Sequence, residues 1–395
     1  MSGIFYLALR HIRYHALRSL TFVLVVATLI TIPLLGRLLT HAAEVRMLSR
    51  AEATPLVYGA KGSALELVLA GAYFRGSLEV NATMADYRWL LSTKLAQLAP
   101  IHWAGSSATY PIIGTDIEYL SLRSLEVAEG RKPVRVGEVV LGAEVATALR
   151  LGVGDEILSD AEQAFDLAGA YPVGMTVSGI LAHSNSPDDG AILTDLKTSW
   201  IVAGFGHGHE DLSTAVQSSI LKQSEDLVTA NASLPTHIQI TSDNLDSFHL
   251  HGSDETQLLT AVLVFPDDVK AAALIQGRVA DQRLSHQIIR PIQPIGGLLE
   301  NVFAVKKVLD RVIVALSVAA LFALGLILAL SVQMRSREFD IAQRLGGRKG
   351  LPALLVLGEL SLLCLAALAV SAALVGVVQS AGTEVINAWL LEVVQ

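Results

Sequence analysis

Two short runs concentrate the nitrogen and oxygen side chains that a transition metal accepts. His207 and His209, followed by Glu210 and Asp211, form one; His249 and His251, with Asp254 and Glu255, form the other. Imidazole and carboxylate are both ligands of zinc, which takes four of them tetrahedrally in structural sites. If residues 248–251 are extended, His249 and His251 share a face, and two such pairs brought together would close a zinc site on His207, His209, His249 and His251. The alternative is a pair of polar, glycine-bearing loops with solvated imidazoles, because neither spacing is diagnostic of a zinc motif.

Other chemistry is harder to find. The run Gly59 to Ser63 (GAKGS) invites comparison with a phosphate loop, but the order is wrong. That loop needs Gly-x-x-x-x-Gly-Lys-Ser/Thr so that successive amides cradle the phosphates and the lysine reaches them. The chain is therefore expected to be no enzyme, with ATP and magnesium, if used, held by a partner. Ser186 and Asp188 have His183 nearby, but triad members meet in space rather than by adjacency, and no hydrolase is read here. The sequons at Asn81 and Asn231 are read as chance.

The densest cluster of charge lies near the end, in residues 335–350 (RSREFDIAQRLGGRKG). Apolar runs from Val312 to Met334 and from Leu351 to Val378 bound it, each long enough to cross a bilayer, which takes about 20 residues. Arg335, Arg337, Arg344, Arg348 and Lys349 outnumber Glu338 and Asp340, and a basic excess holds a short loop in the cytoplasm. Within it Phe339, Ile341 or Ala342, and Leu345 recur near helical spacing, with Gly346 and Gly347 as a stop, so a small amphipathic helix is predicted.

Composition agrees with a membrane class. Hydrophobic residues make up 52% and charged ones 17%, with a mean hydropathy of +0.50. The net charge of −8 belongs to the middle of the chain, since no acid precedes Glu44 while Arg10, Arg13 and Arg18 do. That acidic balance disfavours nucleic acid as a partner. The single cysteine, Cys364, excludes a disulfide framework within the chain.

In chain order, residues 1–16 alternate apolar and basic positions as an interfacial helix does. Residues 17–36 form a first span, with Pro33 near its far end; a cleaved signal peptide ending near Thr40 to Ala43 is the competing reading. The amino terminus is expected inside and residues 41–299 outside. In that segment strands are predicted at Leu56 to Gly59, Ala108 to Ile113, Val136 to Leu141, Met175 to Ala182, His237 to Thr241 and Ala261 to Phe265. Helices are predicted at Ala64 to Phe74, Ala85 to Ala99 and Ala143 to Leu149, which makes the segment α+β. Residues 300–311 read as a stalk helix running without a breaker into the span 312–334. Glu359, early in the span 351–378, is expensive in lipid and is expected to face a protein partner or the interface.

The pattern of an apolar helix, then Arg-x-Arg-Glu-Phe-x-Ile-x-x-x-Arg-x-x-Gly-Gly, then another apolar helix resembles the FtsX-like permeases, membrane subunits of ABC transporters related to MacB and to the lipoprotein-releasing LolC and LolE. The run Gly130 to Asp155 (GRKPVRVGEVVLGAEVATALRLGVGD), continued by Thr176 to Leu181 and by Asp188 and Asp189, resembles the MacB-type periplasmic domain. The runs Val57 to Leu69 and Phe248 to Gly252 resemble a branch of the same family. The resemblance implies an α-helical membrane protein with a large α+β periplasmic domain, in the bacterial inner membrane. It implies a cytoplasmic coupling helix docked on a separate ATPase through Arg337, Glu338, Ile341, Arg344, Leu345, Gly346 and Gly347. It implies partners: an ABC ATPase in trans, a second permease copy or a similar permease, and a periplasmic adaptor. The glycines and apolar residues of 130–155 are read as structural.

The family's fourth spanning helix is missing after Val378, because residues 379–395 are too short and too polar to cross again. The terminus is therefore expected outside, with Val385 to Val394 amphipathic; either the gene is truncated or the dimer packs differently. Three functions stay open: export or extraction of a lipoprotein, lipid, peptide or drug; mechanical activation of a periplasmic cell-wall hydrolase, as in FtsX; and a zinc-binding outer-face module.

Overall fold

A computed structural model describes residues 2–76, 78–160, 172–208, 220–224, 227–230, 238–240, 248–250, 252–336, 340, 341, 344 and 350–380. In chain order the helices are α1 (Ser2–Tyr14), α2 (Ala16–Glu52), α3 (Ala64–Tyr73), α4 (Met84–Ser92), α5 (Ile117–Leu122), α6 (Ala143–Leu149), α7 (Leu196–Val202), α8 (Val269–Gln282), α9 (Ile292–Met334) and α10 (Leu351–Ser380), with a 3-10 turn at Pro187–Gly190. The strands are β1 (Leu56–Ala60), β2 (Ala82–Thr83), β3 (Ala96–Ser107), β4 (Tyr110–Thr115), β5 (Val127–Gly130), β6 (Glu138–Leu141), β7 (Glu156–Leu158), β8 (Val173–Leu181), β9 (Ile192–Asp195), β10 (Gly206–Gly208), β11 (Ile220–Ser224), β12 (Leu227–Ala230), β13 (Ile238–Gln239), β14 (Phe248–Leu250), β15 (Leu258–Leu259), β16 (Ala261–Pro266) and β17 (His286–Ile289). The chain divides into two compact units, residues 46–297 and residues 1–45 with 298–395.

The unit of residues 46–297 is built on a mixed sheet of order β13-β8-β6-β9-β4-β3-β16-β1-β17, with β5 and β7 also paired to β8. Strands β4 and β9 run parallel, as do β6 and β8, while β3 pairs antiparallel with both β4 and β16. Every residue of β1 and β6 is buried, as expected of strands covered on both faces. Side chains alternate across the sheet: Ile113, Leu193 and Val140 join one apolar cluster, and their neighbours Ile112, Ile192 and Val139 another. Helix starts follow the local sequence. Thr83 and Asp86 cap α4 reciprocally, and Ser63 caps α3.

The predicted elements recur with shifted ends. The helix expected over Ala85 to Ala99 stops at Ser92; Lys94 turns into the left-handed region at φ 53°, and the chain reverses into β3. The strand expected from Ala108 begins at Tyr110, because Ala108 and Thr109, at φ 48° and 75°, make the β3–β4 turn. Helices α5, α7 and α8 escaped the sequence reading, the first two being too short to show a helical period.

Among the described residues, three helices are long and apolar enough to cross a membrane: Ala16–Glu52, Ile292–Met334 and Pro352–Gln379. Helix α1 packs on α10, where Gly358 lets Ile4 and Ala8 come close. Helix α2 meets α10 through small residues, with the Thr31 hydroxyl donating to Ser371 Oγ at 2.9 Å. Leu316, Phe322, Leu326 and Leu330 of α9 are more than half exposed. The piece expected over Val385 to Val394 lies outside the described residues.

Candidate functional site

The two histidine runs come together only in part. Strand β10 pairs antiparallel with β14, and His207 stands opposite His249 in that register. His209 and His251 lie outside the described residues. Among the described residues, the one group with metal-ligand spacing is elsewhere: Glu144, His183 and Asp189 bring ligand atoms within 4.8 Å of one another. His183 Nδ1 lies 2.5 Å from Asp189 Oδ2, and the Ser184 amide and hydroxyl each donate to Asp189 Oδ1 at 2.8 Å. Both oxygens of Asp189 are thus engaged in folding the 183–190 turn. Ser186 donates to Asp188 instead, at 2.8 Å, so serine, histidine and aspartate do not line up as a relay.

The same turn carries Asp188, which pairs with a buried arginine distant in the chain. Arg50, from the last turn of α2, is 5% exposed, and Asp188 is fully buried. Arg50 Nη1 donates to Asp188 Oδ2 at 2.7 Å and Nη2 to Oδ1 at 3.3 Å, the bidentate fork that a guanidinium favours. Its remaining donors reach the Tyr119 hydroxyl at 2.9 Å and the Ala72 carbonyl at 2.8 Å, while Tyr119 itself donates to Asp188. Burial pushes the Asp188 carboxyl up, but the Arg50 charge and the donors Tyr119 and Ser186 outweigh it and hold the group below the usual carboxylate range. No spacing in the sequence links residues from α2, α5 and the turn before β9; only the fold brings them together.

In the unit of apolar helices, Glu359 is 7% exposed and gathers three basic side chains. Arg18 Nη2 donates to its Oε1 at 2.7 Å, His11 Nδ1 lies 3.1 Å from Oε2, and Arg335 Nη1 approaches Oε2 at 3.5 Å. The acid expected to face a partner or the interface thus faces α1, α2 and the residue just after α9 in its own chain. Burial lowers the His11 pKa, aided by the nearby Arg335 and Arg18 charges and opposed by Glu359. Arg335 opens the charged loop, so the cluster ties the start of that loop to the neighbouring helices.

Of the loop itself, Arg344 and Ile341 are exposed, and Arg344 pairs with Asp340 one turn earlier at 3.6 Å. Such an exposed pair adds little stability. Arg337, Glu338, Leu345, Gly346 and Gly347 lie outside the described residues.

Residues 17–237, more than half of the chain, match the family model described as the MacB-like periplasmic core domain. The chain belongs to this family. The resemblance to MacB-type permeases drawn from the sequence therefore holds at the level of the family. No curated protein sequence matches. Among solved structures, the periplasmic region of MacB from Actinobacillus actinomycetemcomitans is 11% identical, covering 65% of this chain and 98% of its own, with a TM-score of 0.37. The extracellular domain of the noncanonic ABC-type transporter YknZ from Gram-positive bacteria is 12% identical, covering 59% and 98%, at 0.33. A domain of a permease protein from Porphyromonas gingivalis is 11% identical, covering 59% and 84%, at 0.24.

Within this MacB-like core domain the run 130–155 forms β6 and α6 and the turns that join them to their neighbours. Gly130 has φ +75°, and a Cβ there would stand 2.3 Å from the Ser178 carbonyl oxygen. Glu138 takes both Arg131 Nη1, at 2.7 Å, and Nη2, at 2.5 Å, and the hydrogen bonds from Arg131 hold its carboxyl down at about 2. Gly130, Arg131 and Glu138 shape the backbone of this run.

Proposed function

We propose that the chain is the membrane subunit of an ATP-driven machine in the bacterial cytoplasmic membrane. Its amino terminus and the loop at 335–350 lie in the cytoplasm, and the MacB-like domain lies outside. A separate ATPase docks on the loop through its exposed side chains, Arg344 and Ile341 among them, and closure of that ATPase displaces α9 and α10. The chain works as a pair with a second copy or a similar subunit, and the moving outer domains extract or export a lipoprotein, lipid, peptide or drug.

What carries this reading is the family match over 17–237, joined in one chain to three helices apolar enough to span. The absence of a Gly-x-x-x-x-Gly-Lys-Ser/Thr run from the sequence supports an ATPase supplied in trans. The exposed apolar side of α9 supports a lipid or helix neighbour.

The test places single cysteines at position 344 and at Arg150 in a Cys364→Ala background and labels intact cells with a membrane-impermeant thiol reagent. Labelling at 150 but not at 344 is expected, together with co-purification of an ATP-hydrolysing subunit that Arg344→Glu releases. Labelling of both positions from outside would overturn the topology. Co-purification of that subunit unchanged by Arg344→Glu and Ile341→Ala would overturn the docking site.

A further inference from the structure

Strands β10 and β14 pair antiparallel, and the register sets Gly206 against Leu250, His207 against His249 and Gly208 against Phe248. Among the described residues these two strands form a sheet of their own. Successive residues of a strand lie on opposite faces. Phe248 and Leu250 pack against the apolar cluster that holds Val139, Ile192 and Ile201, so one face of the ribbon belongs to the core. A glycine stands opposite each of them, which leaves that face to the two apolar side chains. His207 and His249 occupy the positions between, on the other face of the ribbon.

Residues directly opposite in an antiparallel pair have Cβ atoms about 4.5–5.5 Å apart. Two imidazole nitrogens on one tetrahedral ion are about 3.3 Å apart, given metal–nitrogen bonds of about 2.0–2.1 Å. Histidines at opposed positions of a ribbon therefore stand at the spacing that a shared ion needs. Strand pairing sets that spacing before any ion arrives, so little ordering of the backbone is left for binding to offset. The chemistry of the two groups selects the ion: imidazole suits zinc, copper and nickel, whereas magnesium and calcium take oxygen. The group of Glu144, His183 and Asp189 is a weaker candidate, because both oxygens of Asp189 are taken by His183 and Ser184.

We propose that His207 and His249 jointly ligate one divalent transition-metal ion of the zinc class, with water filling the rest of the tetrahedron. The site needs two strands to pair in this register, and neither histidine alone provides it.

The experiment titrates the metal-free full chain, purified in detergent without a histidine tag, with zinc chloride by isothermal calorimetry. Magnesium chloride is the oxygen-seeking control. One zinc per chain is expected in the tightest class of sites, with no saturable binding of magnesium. His207→Ala and His249→Ala should each weaken that class at least about tenfold, the loss that even a supporting partner of a ligating histidine causes. The chain with His207→Cys and His249→Cys in a Cys364→Ala background, kept reduced, should hold one zinc again, because thiolate also ligates zinc. It decides the matter if either alanine variant fails to fold. Zinc held equally by wild type and both alanine variants, a loss in one of the two variants only, saturable magnesium binding, or no zinc on the dicysteine chain would overturn the proposal.

Discussion

Arg50 and Asp188 stand 138 residues apart in the chain and meet in the interior through two hydrogen bonds of 2.7 and 3.3 Å. The arginine belongs to the last turn of α2 and the aspartate to the turn before β9, so one ion pair fastens the end of the helix to the centre of the sheet. Removing one partner of such a pair strands a charge in the core and costs about 3–5 kcal/mol. Arg50→Met is therefore expected to lower unfolding stability by that amount, and Arg50→Met with Asp188→Asn by less than the sum of the two changes. Denaturant unfolding of the full chain in detergent measures both. A loss under about 1 kcal/mol for Arg50→Met would contradict the pairing.

His102 gives the domain a dependence on pH. It is 4% exposed, packs near Trp200 and Phe205, and its Nδ1 lies 2.9 Å from Ser199 Oγ. The serine proton goes to the Leu196 carbonyl, so the imidazole donates and stays neutral. Burial lowers its pKa from 6.5 to about 4. Between those values the unfolded chain binds the proton and the folded one does not, so stability is full above about pH 6.5 and declines as pH falls toward 4. His102→Gln should remove roughly 2–3 kcal/mol of the difference in stability between pH 7 and pH 4. Unfolding curves at the two pH values, wild type against variant, check this; parallel losses would refute it.

Glu359 holds the helical unit through its basic neighbours. Glu359→Gln leaves Arg18 and Arg335 close together without the acid between them, and should cost on the order of 2 kcal/mol. Adding Arg18→Gln should restore part of that loss, because it removes one of the two unbalanced charges. Thermal unfolding of the purified chain in nanodiscs reads the cycle, and strict additivity would show that the contact carries no energy.

Gly130 and Gly154 separate strain from collision. Both have positive φ, +75° and +96°, but a Cβ at Gly130 would strike the Ser178 carbonyl while one at Gly154 would meet nothing within 4 Å among the described residues. Gly154→Ala should cost about 1 kcal/mol, and Gly130→Ala clearly more. Circular-dichroism melts of the two variants give the comparison, and equal losses would show that the close approach at Gly130 is relaxed without cost.

The sequence by itself determined the class of this protein. Three apolar runs, a basic loop between two of them, and the run 130–155 are local patterns, and local patterns are legible because burial in lipid or in a sheet writes itself into consecutive residues. Strands β1, β6, β8 and β16 and helices α3 and α6 were readable for that reason, within a residue or two at most ends. Only the tertiary structure decided which polar groups work together. Arg50 with Tyr119 and Asp188, and Arg18 with Glu359, each join distant segments, and no rule of spacing connects residues whose meeting depends on how the elements pack. Of the histidine runs, the register sets His207 opposite His249, a pairing that no spacing in the sequence announces, while His209 and His251 lie outside the described residues. Periodicity reports which side of an element is buried; the energy of a buried charge depends on what the fold sets against it.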